Sequence, residues 1–228
     1  MTVSMKTVSK VTSVLGLWSS LLVFILVGMN IATGVSQEYF ESLHPAREYT
    51  ERIIRDAGAL NAAFTVDNLF VVSYAAFFVG LGVLFKSQAD SLVVKLGVGA
   101  MLLVALLDSV ENHHITAMAQ SALAGVALPD AEIRTQVIVS SLKFHVSCFG
   151  ALLFALAFPR ESRLGKIIGW LLAGYGFCGV LVLTSPPSLL LPLALLRTAF
   201  FVMSFLLAGI MLWNWTPPSQ TFVGKETA

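Results

Sequence analysis

The chain has 228 residues, of which 57% are hydrophobic and only 12% charged, with a mean hydropathy of +0.83 and a net charge of +1. Soluble domains carry about 25% charged residues, so this composition excludes an ordinary soluble domain, and the near-zero charge provides no basic surface for nucleic acid. What it leaves is an all-α, multi-pass integral membrane protein, read as a single membrane domain over residues 1–228.

Six apolar runs are long enough, at about 20 residues, to cross the hydrocarbon core. They cover about 11–34, 65–85, 91–114, 135–158, 165–184 and 189–213. The first follows Lys6 and Lys10. It exceeds the roughly 7–15 apolar residues of a signal-peptide core, and Ile31-Ala32-Thr33 is a poor cleavage site, so a retained helix is expected. Pro159 and the pairs Pro186-Pro187 and Pro217-Pro218 fall at span ends, where proline does not interrupt a helix interior.

Between the first two spans, Tyr49, Ile53, Ala57 and Leu60 recur at helical intervals among Arg47, Glu48, Arg52, Arg55 and Asp56. The pattern predicts an amphipathic, interfacial helix lying on the outer surface. Gly125 to Arg134 reads as a loop, with Asp130 expected to cap the fourth span. Gly97, Gly99, Gly165, Gly169 and Ala173 mark places where helices can approach closely. Cys148 and Cys178 lie inside apolar runs and read as packing residues rather than a disulfide.

Orientation follows from the basic residues. Lys6, Lys10, Lys86, Lys95, Arg160, Arg163, Lys166 and Lys225 fall on one side. Arg47, Arg52, Arg55 and Arg134 fall on the other, diluted by Glu38, Glu41, Glu48, Glu51, Asp56, Asp130 and Glu132. The positive-inside rule then puts both termini in the cytoplasm of a plasma (inner) membrane protein. Trp18, Trp170, Trp213 and Trp215 lie near span ends, as interfacial anchors do.

The chemistry is concentrated at one depth. The third span ends in Leu102 to Met118, which carries Asp108, Glu111, Asn112, His113 and His114. Ionisable groups there need partners or water. Counting about 1.5 Å per residue places Asp67 and Asn68, Asp108 and Glu111, Lys143 and His145, and Arg197 all in the outer half, on four helices. Asp108, Glu111 and Asn112 share one helix face, and Ser140, Lys143 and Ser147 another. These residues are expected to converge on a partly hydrated cavity open to the outside, with Asp67, Asp108, Lys143 and Arg197 as a network and Tyr74 and Asn30 at its edge.

The leading functional expectation is a pocket for the head group of an anionic or amphiphilic small molecule, with membrane lipid as the natural partner and a lipid-modifying enzyme as one form of it. Asp108 and Glu111 are the expected acid–base (catalytic) pair. Lys143 and Arg197 are the expected anion clamp, with Asp67, Asn112 and Tyr74 as orienting groups. Three alternatives remain open: a proton-coupled small-solute transporter, a structural or assembly subunit whose charges only hold the bundle, and a single metal or haem held by Glu111, His114 and His145. The last rests on the Glu-x-x-His spacing of carboxylate metal bundles. Phosphate-binding glycine loops and Cys-x-x-Cys pairs are absent from the sequence, and no cofactor is expected. His113 and His114 are placed at the water line. An enzyme should have a packed inner half and a carrier a second path. A structural subunit should pair every acid with a cation and leave no cavity.

Overall fold

The computed structural model describes residues 4–86 and 90–215. Seven helices follow in order: α1 (Met5–Thr33), α2 (Gln37–Phe40), α3 (Ala46–Phe85), α4 (Ser91–Leu123), α5 (Asp130–Ala157), α6 (Arg163–Thr184) and α7 (Pro187–Trp213). All but α2 are long and apolar enough to cross a membrane, and the described residues contain no strand. The Pro217-Pro218 pair and Lys225 lie outside the described residues.

The six long helices alternate in direction, and each packs on its neighbours in sequence. α1 also packs on α7, which closes the ring. Both described chain ends therefore lie at one end of the bundle, where Lys10 donates to the Trp213 carbonyl at 2.5 Å and sits 3.9 Å over the Trp213 ring. The α1–α3, α4–α5 and α6–α7 connections lie at the opposite, loop end.

In lipid, helices gain little from burying apolar surface against one another, so close contact and hydrogen bonds must hold them. A serine face on α1 supplies these bonds. Ser9 and Ser13 donate to the Leu212 and Gly209 carbonyls of α7 at 2.7 and 2.6 Å. Ser19 pairs with Ser73 of α3 at 2.8 Å, and Ser73 bonds the Leu15 carbonyl at 3.2 Å. Gly80 lets α3 touch α1, since a Cβ there would lie 2.1 Å from Thr12 Oγ1 and 3.0 Å from Thr12 Cβ. Gly80→Ala is therefore expected to cost about 1–3 kcal/mol by overpacking. Thermal unfolding in detergent should show the loss, and adding Thr12→Ala should recover part of it.

Of the glycines named from sequence, Gly97 and Gly169 do sit at helix contacts, against Phe154 and the Ala155 carbonyl, whereas Gly99 faces open space. Cys148 and Cys178 are buried and free.

The terminus half of the bundle is filled. Phe77 and Phe205, Phe78 and Phe154, and Phe85 and Phe158 meet at ring-centre distances of 5.1, 4.9 and 5.0 Å. Leu81, Ile168, Leu172 and Ala208 close the space between them. The loop half has a second, separate core. There α3, α4 and α5 bury Tyr49, Ile53, Leu60, Phe64, Ile115, Met118 and Ile133 together.

This second core revises the expected surface-lying helix. Residues 46–64 continue directly into the second span, and the apolar stripe of Tyr49, Ile53 and Leu60 packs on α4 and α5. Helical spacing reveals which face is apolar but not what covers it, and here α4 and α5 of the same chain cover it. α4 likewise runs on to Leu123. Asp130 is the first helical residue of α5 rather than its cap; Pro129 precedes it in extended conformation, and Asp130 and Glu132 instead favour the positive end of the helix dipole.

Candidate functional site

Between the two cores lies a cavity of about 220 Å³. Every long helix contributes to its wall: Asn30 from α1, Asp67 and Tyr74 from α3, Asp108 from α4, Lys143 and Ser147 from α5, Tyr175 from α6 and Arg197 from α7. Residues of one network on six different helices follow from the ring closure, since each helix presents one inward stripe at this level.

Lys143 is the hub. Its side chain is 8% exposed, and its ammonium reaches Asp108 and Glu41 at 3.1 Å each and contacts Glu111 directly. Glu111 is fully buried behind the cavity wall and also accepts from Ser140 and, at 3.0 Å, from Gln136. Tyr74 donates to Asp108 at 2.5 Å. Asn112 donates to Asp67 at 2.7 Å and to Asn68 at 3.1 Å, and accepts from Gln37 at 3.1 Å. Ser147 pairs with Tyr175 at 2.6 Å on the cavity floor. Arg197 has one ion-pair partner among the described residues, Glu38 at 3.2 Å, and its guanidinium lies 4.5 Å from the Phe144 ring centre.

Asp67, Asp108, Lys143, Arg197, Tyr74 and Asn30 all line the same space; Tyr74, Asp108 and Lys143 are directly bonded, whereas Asp67 is held by Asn112 and Arg197 by Glu38. Two corrections concern roles. Lys143 is engaged by three carboxylates, so it does not stand free as half of an anion clamp. Glu111 contributes from behind the wall rather than facing the space.

Sequence reasoning missed the cover. After α1 the chain turns at Gly34, whose φ of +69° is a left-handed conformation that glycine adopts without strain. It then enters α2, which, with its C-cap residue Glu41, carries Gln37 and Glu38 into the network. Phe40, fully buried beside Tyr49, fixes α2, and the Tyr49 hydroxyl donates to the Phe40 carbonyl at 3.0 Å. Tyr39 donates to Glu48 at 2.8 Å. Burial, then the Glu48 carboxylate, push its phenol up to about 12, so it remains a donor at neutral pH. Glu38 and Glu41 were counted only as charges on the outer side. Their i, i+3 spacing was the available signal that they share a face.

The histidines divide. His113 is exposed and bonds its own helix through the Ser109 carbonyl at 2.7 Å. His114 is half-buried and bridges inward, 2.8 Å from Glu132 and 2.8 Å from Gln136, which bonds Glu111. His114 is therefore tied to the network through one amide rather than only standing at the water line. The metal alternative of Glu111, His114 and His145 is not assembled. His145 is exposed and bonds the Ser141 carbonyl at 2.7 Å, Glu111 faces Lys143, and no group of three or more metal-ligating side chains occurs among the described residues.

Chemically, four carboxylates (Glu38, Glu41, Asp67 and Asp108) and two cations line the cavity, with Glu111 paired to Lys143 behind its wall. No protein family, no curated protein and no solved structure matches the chain.

Proposed function

We propose that this cavity binds the polar head of an amphiphilic small molecule at the outer face of a plasma membrane. One observation carries the reading: an open space lined by charged groups of both signs (Glu38, Glu41, Asp67, Asp108, Lys143 and Arg197) lies in one half of the bundle, whereas the other half is sealed by aromatic rings. Adhesion alone would favour balanced pairs and no void, because each unbalanced charge in a membrane interior is costly. The filled terminus half favours binding with chemistry at one face over passage across the membrane.

In this reading Asp108 is the group that exchanges a proton with the bound head, held by Tyr74 and Lys143. Asp67, oriented by Asn112, is the second acid facing the space, with Glu111 supporting Lys143 from behind. Arg197 recognises an anionic or strongly accepting part of the head, because its existing partner, Glu38, is 56% exposed and exchangeable. Lys6, Lys10, Lys86, Lys95, Arg160, Arg163 and Lys166 at the terminus end support a cytoplasmic location for both termini. α2, as the cover of the cavity, then lies at the outer interface.

The test is Arg197→Gln. Losing a charge-assisted hydrogen bond of about 1.5–3 kcal/mol should weaken binding of dodecanoate or dodecyl phosphate roughly 10- to 100-fold. Stability should fall by only about 1 kcal/mol or less, since the lost ion pair is partly solvated. Unchanged binding would remove Arg197 from the site.

A further inference from the structure

The burial of the cavity lining shows where its mouth lies. On α3 and α4 the lining residues Ala63, Asp67, Phe70, Tyr74, Met101 and Val104 are buried, with Asp108 half-buried. Most of the exposed and half-buried ones are Leu26, Val27 and Asn30 on α1, the α2 segment, and Thr198 and Phe201 on α7, with Phe144 on α5 half-buried beneath Arg197. The opening therefore faces the seam between the first and last helices, directly beneath α2.

The seam itself changes character at this level. In the terminus half α1 is stitched to α7 by Ser9, Ser13 and Ser20, the last at 3.5 Å from the Val202 carbonyl. Beyond Ser20 no hydrogen bond joins the two helices among the described residues. Leu22 and Val23 are the last buried residues of α1, although the helix continues for ten more, about 15 Å. On α7, Arg197 is the one buried residue described between Ser188 and Phe200. Both helices carry apolar side chains here, with Phe24, Ile25, Val27, Leu195 and Leu196 exposed.

Polarity is graded across the mouth. Gln37, Glu38, Asn30 and Arg197 lie toward the loop end, whereas Val23, Leu26 and Phe201 lie toward the middle of the bundle. A water-soluble ligand has no use for an apolar lower lip on the lipid-facing side. An amphiphile seated with its head on Arg197 and Asp108 does, since its chain must leave through hydrocarbon.

We infer that the gap between α1 and α7, bounded by Leu26, Val27, Thr198 and Phe201, is a lateral portal through which a single-chain amphiphile reaches the cavity from the bilayer, its chain remaining between the two helices. This rests on the head-binding reading above and adds to it the route by which the ligand enters. Carboxylate and phosphate heads share the required chemistry.

The test uses native mass spectrometry of the full chain released from a neutral detergent. The probes are dodecanoate and dodecyl phosphate, with butyrate and butyl phosphate as chainless counterparts and dodecyltrimethylammonium as a charge control. Wild type should retain one dodecyl anion through Arg197, the better of the two heads identifying its source; preferential retention of the cation would assign the head site to the surrounding carboxylates and overturn Arg197 as its anchor. Val27→Trp with Thr198→Trp, which narrows the mouth, should reduce retention of the dodecyl anion at least tenfold and leave the butyl anion unchanged. Val27→Ala, which widens it, should raise dodecyl retention without altering butyl retention, and it decides the matter if the tryptophan variant loses both. Dodecyl retention that is indifferent to both variants would overturn the portal and leave the head site standing. Failure of wild type to retain any anion would overturn the head-binding reading, and the portal with it.

Discussion

Lys143→Met is expected to destabilise the protein by about 3–5 kcal/mol, because it strands a buried carboxylate rather than merely deleting a bond. Glu111 is fully buried, and Lys143 is its cationic partner. Methionine is close to lysine in length, so the loss comes from charge and not from a cavity. Chemical unfolding of the detergent-purified variant measures it. The double variant Lys143→Met with Glu111→Gln should recover at least half of the loss, since Gln136 and Ser140 can still bond the amide. A double-mutant cycle gives the coupling directly. A Lys143→Met variant as stable as wild type would mean that the hub holds nothing together, and the buried pair would lose its structural role.

On the proposed proton-exchanging role of Asp108, Asp108→Asn is expected to leave the fold intact and to remove that role. The substitution conserves shape, and an amide oxygen can still accept from Tyr74. Lys143 keeps Glu41 and Glu111, so the ammonium is not stranded. Unfolding should therefore move by about 1 kcal/mol or less, whereas an acid–base role contributes about 10²–10⁴-fold in rate. Turnover of the amphiphile retained by wild type should fall within that range. Equal loss of stability and turnover would assign Asp108 to holding the bundle instead.

Much of this arrangement was legible in the residues. Composition and run length give six apolar helices, and depth counting brings Asp67, Asp108, Lys143 and Arg197 to one level. The inward faces followed from the i, i+3, i+4 spacing on α4. What escaped has specific causes. Glu38 and Glu41 sit in a connection between helices, where no span fixes depth, so only the three-dimensional path shows that α2 folds over the cavity. Tyr49, Ile53 and Leu60 showed an apolar stripe, but periodicity is blind to whether lipid or protein covers it. The inward link of His114 depends on Gln136, an amide on the neighbouring helix that carries no charge to draw notice. The serines of α1 are uncharged and lie within an apolar run, so spacing alone does not show that their bonds to α7 and α3 hold the ring closed.

The most direct measurement is the analysis of what the protein carries out of its own membrane. Wild type and Arg197→Gln are purified in parallel in a neutral detergent, and organic extracts of each are compared by mass spectrometry against the bulk membrane extract. The expected result is one single-chain anionic amphiphile, near one per protein, enriched on wild type and depleted at least tenfold on Arg197→Gln. An extract that matches bulk lipid for wild type, or is the same for both proteins, would contradict a head-group site at Arg197 and Asp108.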